Sequence, residues 1–131
     1  GFVNKVLQWA RQKEALRLVT DQVGNPTWCR ALAEITAMLA ARGEDYLRER
    51  KGLYHLAGSG YASRFEWART LLELDPQRKE QTVKELLPAL TADFPTPAQR
   101  PLFSALECEK FNAAFGLNLP PWKEALQLAM E

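Results

Sequence analysis

The stretch Leu16-Arg17-Leu18-Val19-Thr20-Asp21-Gln22-Val23-Gly24-Asn25-Pro26-Thr27-Trp28 decides the fold class. Its first five residues alternate apolar and polar, the pattern of a short strand with one buried face. Gly24 and Pro26 punctuate a loop after it. Thr27 offers a hydroxyl to the first amides of a helix, and Trp28, Ala31, Leu32, Ile35, Met38 and Leu39 supply an apolar stripe at helical spacing. Gly43, with Arg42 in the last turn, closes that helix. A strand that passes through a loop into an amphipathic helix belongs to the α/β class.

Upstream, Val3, Val6, Leu7 and Ala10 mark a first amphipathic helix. Downstream, Gly52-Leu53-Tyr54-His55-Leu56-Ala57 is a mostly apolar run that predicts a strand buried on both faces, and Gly58-Ser59-Gly60 turns the chain. Ser63-Arg64-Phe65-Glu66 is a capping box opening a helix to about Leu74, which Asp75-Pro76 stops. Residues 77–85 are ambiguous: their charges suit a helix, while Val83 to Leu90 also fits an extended segment. Prolines 95, 97 and 101 make the next stretch irregular. Ser104-Ala105-Leu106-Glu107 reads as a second capping box, with Cys108, Phe111 and Phe115 on one face and Gly116 as the stop. Pro120-Pro121 starts a last helix striped by Trp122, Ala125, Leu126 and Ala129.

The expected architecture is mostly helical, five helices with two or three short strands, and it lacks most of a sheet. The chain opens at Gly1-Phe2 inside a helical pattern, without an initiator Met, which predicts a fragment of a longer protein. The helix at 27–42 and the strand at 52–57 are then expected to expose apolar faces and drive self-association.

At 131 residues the chain is one domain by size. It is 47% hydrophobic and 25% charged, with a net charge of +1. Such a balance carries no footprint for nucleic acid or a membrane surface. No apolar run approaches the roughly 18 residues of a membrane span, and a secretory signal peptide is not expected. Cys29 and Cys108 stand apart without zinc-ligand spacing and read as reduced core thiols of a cytoplasmic protein.

Catalytic machinery is sparse. His55 is the only histidine, and in mid-strand it reads as a core or interface residue rather than a general base. No cluster has metal-ligand spacing, and pairs such as Glu44/Asp45 and Glu107/Glu109 suit solvated surfaces. Gly58-Ser59-Gly60-Tyr61-Ala62-Ser63 sits between strand and helix, as a phosphate-cradling turn would, but the third glycine of G-x-G-x-x-G is Ser63 and no acid follows at the ribose spacing. A plain turn is the better reading. None of the three tyrosines has a lysine four residues on, so no Tyr-x-x-x-Lys pair is present to lower a phenol's pKa for proton transfer. The residues thus predict no catalytic, cofactor-binding or metal site within this chain.

Four segments together resemble one family. They are Phe2-Val3-Asn4-Lys5-Val6-Leu7; Asp21-Gln22-Val23-Gly24-Asn25-Pro26-Thr27; Gly52-Leu53-Tyr54-His55-Leu56-Ala57-Gly58 with its Ser-capped helix; and Phe94-Pro95-Thr96-Pro97-Ala98-Gln99-Arg100-Pro101, followed by Phe115-Gly116-Leu117-x-Leu119-Pro120-x-Trp122. In order and spacing they resemble the C-terminal portion of the dTDP-4-dehydrorhamnose reductases, extended short-chain dehydrogenases that finish dTDP-L-rhamnose synthesis. The resemblance implies a Rossmann-like parent more than twice this length, with the dinucleotide turn and Tyr-x-x-x-Lys pair in an N-terminal domain that this chain lacks. It implies hydride transfer from NADPH (or NADH) to the C4 keto group of dTDP-4-dehydro-L-rhamnose. Residues 1–131 would be a single substrate-binding fragment, inactive alone, whose partners are the dTDP-sugar and the missing domain.

Arg100 is the leading candidate for a substrate contact: its planar fork suits a diphosphate and two prolines stiffen its loop. Extended relatives use an arginine in a corresponding late loop against the nucleotide diphosphate. Gln22 and Asn25 could touch substrate or brace their loop, and Thr27 could touch substrate or cap the helix. Trp28, Trp67 and Trp122 fall on helical stripes and read as core. The sequence departs from the family where Gly1 replaces an Asn before Phe2, and where Phe103-Ser104 replaces Asn-Ser after Arg100-Pro101. Some relatives are dimers bridged by magnesium through glutamates, but Glu131 alone is too little to carry that over. An alternative is a non-catalytic binding protein similar to the regulatory β subunit of methionine adenosyltransferase.

Overall fold

The computed structural model describes residues 1–131. Helical spacing of Val3, Val6, Leu7 and Ala10 produces α1 (Phe2–Ala10), which buries Val6 and Ala10. Alternation then produces β1 (Ala15–Val19), with Leu16 and Leu18 inward and Ala15 and Arg17 outward. β1 pairs in parallel with β4 (Glu85–Ala89), in a register running from Ala15 opposite Glu85 to Val19 opposite Ala89. Pro88 has no N–H to donate, which suits β4 to the edge of this two-stranded sheet. The extended alternative for Val83 to Leu90 is therefore the one that forms. Short 3₁₀ turns occur at Arg78–Glu80 and Thr91–Asp93.

Between β1 and β4 the chain makes a long excursion. β2 (Val23–Gly24) pairs antiparallel with β3 (Ala62–Ser63), and α4 (Arg64–Glu73) follows β3 directly. The Ser63–Glu66 capping box is formed: Ser63 Oγ accepts from the Glu66 amide, and the Glu66 carboxylate accepts from the Ser63 amide. α4 buries Ala68, Leu71 and Leu72. These pack with Val6, Ala10, Leu16, Leu18 and with Trp122 and Leu126 of α6 (Trp122–Met130) in the larger core. Burying side chains such as Leu71 and Val6 completely stabilises the fold by about 1.5–3 kcal/mol each.

A second, smaller core is separate from the first. Ala31 and Ile35 of α2 (Cys29–Ala40) meet Phe111 of α5 (Glu109–Phe115) and Leu119. Tyr54 stacks edge-on against Phe111 and Phe115, and Leu56 adds to the same cluster. The Ala31–Ile35 part of the α2 stripe is thus covered from within the chain, while Met38 on the same stripe stays half exposed.

Other expectations are corrected. Residues 52–57 form no strand: Tyr54 and Leu56 pack inward, Leu53 and His55 are exposed, and the segment has no ladder partner. His55 is therefore a surface residue. Thr27 does not cap α2. The N-cap position is Trp28, because the Thr27 hydroxyl is already engaged elsewhere. Ser104–Glu107 form no capping box; α5 starts only at Glu109, since Ser104 bonds the Val23 carbonyl instead. The segment after Gly43, unassigned from sequence, is a further helix, α3 (Glu44–Glu49), held by Arg48 ion pairs to Glu44 and Asp45. Cys29 is exposed and Cys108 half-buried, so both are free thiols but neither is a core residue. Trp122 is buried, while Trp28 and Trp67 are only partly so.

Candidate functional site

The loop from Gln22 to Thr27 crosses between the two cores, and its side chains are tied to distant backbone. Asn25 Nδ2 donates to the carbonyls of Gly58 (3.3 Å) and Gly60 (2.8 Å), and Asn25 Oδ1 accepts from the Leu106 amide (2.6 Å). Thr27 Oγ1 donates to the Asn25 carbonyl (2.9 Å) and accepts from the Gly58 amide (3.0 Å). Gln22 Nε2 donates to Thr91 Oγ1 (3.2 Å). Val23 links the loop to the segment after Arg100: its amide donates to Leu102 (2.7 Å) and its carbonyl accepts from the Ser104 amide (2.9 Å). Asp21 accepts from the amide and hydroxyl of Thr91, and the Thr91 amide holds its carboxyl below the usual carboxylate range against the opposing effect of burial.

These ties frame an open cleft of about 400 Å³. Gln22, Asn25, Thr27 and Arg100 all line it, so the structure brings the four sequence-predicted residues together. Their situations differ. The Gln22 Nε2, the Asn25 carboxamide and the Thr27 hydroxyl are committed to protein partners, whereas the Gln22 Oε1 and the exposed Arg100 guanidinium have none. Opposite walls come from the two cores: Ala62 and Trp67 from the larger, Leu32 and Leu56 from the smaller.

Arg64 also lines the cleft and was not singled out from sequence. It is the first residue of α4, and its amide donates to the Gln22 carbonyl (3.1 Å). Its guanidinium lies over the rings of Phe2 (4.8 Å) and Trp67 (5.9 Å). Burial, with a contribution from the Arg100 charge, lowers its pKa, but a guanidinium stays protonated at any pH a folded protein meets. A second cavity of about 560 Å³ adjoins, sharing Gln22, Arg64 and Arg100 and adding Lys5, Arg17 and the aromatics Phe2, Trp9 and Phe94. Neither cavity has an Asp or Glu in its lining. Arg17 is paired with Asp93 (2.9 Å); Lys5, Arg64 and Arg100 have no carboxylate partner. The arrangement is a concave site with net positive charge, suited to an anionic ligand.

The family model described as the RmlD substrate binding domain matches residues 1–131. The chain belongs to this family. It is 32% identical over 139 residues to the dTDP-4-dehydrorhamnose reductase of Burkholderia thailandensis, covering 99% of this chain and 46% of that protein. The crystal structure of a dTDP-4-dehydrorhamnose reductase from Clostridium acetobutylicum matches with a TM-score of 0.82 at 27% identity, over 98% of this chain and 42% of that one. The enzyme of the same name from Bacillus anthracis, crystallised in complex with NADP, matches with a TM-score of 0.80 at 26% identity, over 98% and 42%. The RmlD-type domain described here therefore spans less than half the length of the relatives it matches.

The turn before α4 is not built to cradle a dinucleotide phosphate. Gly58 opens the turn before α4, but a Cβ there would overlap the Pro26 carbonyl oxygen, so its missing side chain serves a close backbone approach. The amides at the start of α4 are not free for a phosphate, because Glu66 caps the Ser63 amide and Gln22 takes that of Arg64. The domain holds no group of three or more His, Cys, Asp or Glu that could hold a metal ion, and no helix long and apolar enough to cross a membrane.

Proposed function

We propose that this chain is the substrate side of a dTDP-4-dehydrorhamnose reductase, in which the parent protein reduces the C4 keto group of dTDP-4-dehydro-L-rhamnose with NADPH (or NADH) in a cytoplasmic setting. The observation that carries the reading is the unpaired guanidinium of Arg100 in an acid-free cleft built from Gln22, Asn25 and Thr27. A nucleotide sugar is anionic at its diphosphate, and a planar donor fork in a proline-stiffened loop suits it. Asn25 and Thr27 act as braces that hold the cleft's shape, and Gln22, which lines the cleft with Arg100, keeps its carboxamide oxygen unpartnered. NADPH would supply the hydride, and its binding groups and the proton donor are proposed to lie outside these residues. Nothing in the cleft favours the regulatory-subunit alternative.

Calorimetry with dTDP-L-rhamnose tests this. The chain is expected to bind it, and Arg100→Gln is expected to weaken binding about tenfold or more without changing the melting temperature. With the keto sugar present, the chain alone is expected to leave NADPH unoxidised. Absence of binding at millimolar ligand, or turnover of NADPH, would overturn the reading.

A further inference from the structure

Arg64 supplies a second free cation to the same cleft, from an element far from Arg100 in sequence. α4 starts at the cleft because β3 pairs with β2, and the capping box then fixes the direction of its first turn. Arg64 has no acid within ion-pairing distance, and its guanidinium takes part in no hydrogen bond. What holds it is aromatic: Phe2 on α1 and Trp67 one turn along α4. Phe2 and Trp67 also stack on each other, with centroids 4.8 Å apart. Stacking on ring faces restrains a guanidinium without using its in-plane N–H donors. A partly buried arginine with unused donors, beside a second unpaired arginine, is costly unless something anionic completes it.

Arg64 and Arg100 also stand at the border of the two cavities, since both line both. A ligand with its charge in the middle and a neutral group at each end fits that layout, one end in each cavity.

We infer that Arg64 is a ligand-binding residue that, with Arg100, forms a two-arginine clamp on the diphosphate of the bound nucleotide sugar. The inference rests on the nucleotide-sugar reading above. It assigns Arg64 a role distinct from helix packing: pre-organised by Phe2 and Trp67, it reads two adjacent phosphates rather than one.

The test compares dTDP with dTMP by calorimetry on the full chain, wild type against Arg64→Gln and Arg64→Lys. Arg64→Gln is expected to weaken dTDP about tenfold and dTMP by much less, and to flatten the salt dependence of dTDP binding. Arg64→Lys keeps the charge without the fork and is expected to fall between. If Arg64→Gln fails to fold, Arg64→Lys decides: unchanged dTDP affinity would overturn the clamp. An equal loss for dTDP and dTMP would assign Arg64 to structure alone and also overturn it. If the wild type binds dTDP and the Arg64 variants bind it equally well, the clamp is wrong and the nucleotide-sugar reading stands. If the wild type binds neither nucleotide, that reading fails and the clamp with it.

Discussion

Gly58 accepts a bond from Asn25 through its carbonyl, donates its amide to Thr27, and has the Pro26 carbonyl pressed where a side chain would sit. Three residues of the crossing loop thus converge on one glycine. Gly58→Ala would push the Pro26 carbonyl away and loosen both side-chain ties. It is expected to cost more than about 2 kcal/mol in urea unfolding, beyond an ordinary surface change. A loss under about 0.5 kcal/mol would show that the loop gives way easily. At this scale the sequence was informative about composition and less so about duty. Asn25 and Thr27 were recognisable as loop organisers, but their partners at 58, 60 and 106 lie over thirty residues away, and no local pattern announces them. Arg64 was visible only as the residue after a helix cap. That it faces Arg100 is a product of tertiary folding.

Elements are tied by polar links as well as by packing. The clearest is Asp75, just past α4, with a side chain only 2% exposed. Arg11, just past α1, donates to both its oxygens at 3.1 and 3.0 Å, and Gln81 Nε2 and the Gln77 amide add further bonds. Burial alone would raise the carboxyl's pKa, but these donors outweigh it and hold it below the ordinary value. A depressed carboxylate contributes stability that is present above its unfolded pKa, near 3.9, and is lost as pH falls through its folded value. Unfolding free energy is therefore expected to drop below about pH 4. Asp75→Asn should cost about 3 kcal/mol at pH 7 and make the acid limb shallower. Parallel acid curves for the two proteins would show that the network carries no pH dependence. Elements with strong local signals were legible: β1 by alternation, α4 by its capping box, α6 by its proline start. Residues 52–57 read as a strand because apolar content and period two do not distinguish a strand from an irregular segment with alternate side chains packed inward. α3 carries a weaker local signal, Glu44, Asp45 and Arg48 at helical pair spacing.

The molecule as a whole has two apolar centres of unequal size, ten buried side chains against four, with the cleft along the seam. Local opening free energy follows the amount of apolar burial. Backbone amides in α5 are therefore expected to exchange with deuterium sooner than those in α4, measured by mass spectrometry at neutral pH. Bound dTDP-L-rhamnose should slow exchange in both. Equal protection of the two helices without ligand would mean that the centres melt as one. The class of fold was readable from a single βα unit, but its division into two centres was not, because Phe111 and Leu119 meet Ala31 and Ile35 only after the chain has passed through the larger core.

The seam has a mechanical consequence. The two centres meet like two leaves joined at several points: the Gln22–Thr27 crossing, the Asn25 and Thr27 bonds, and the run from Leu119 into Trp122, where Ser59 bonds Pro120 and Trp122. A guest molecule gripped by groups on both leaves would act as a rivet, so occupancy would be felt as stiffness throughout the smaller leaf.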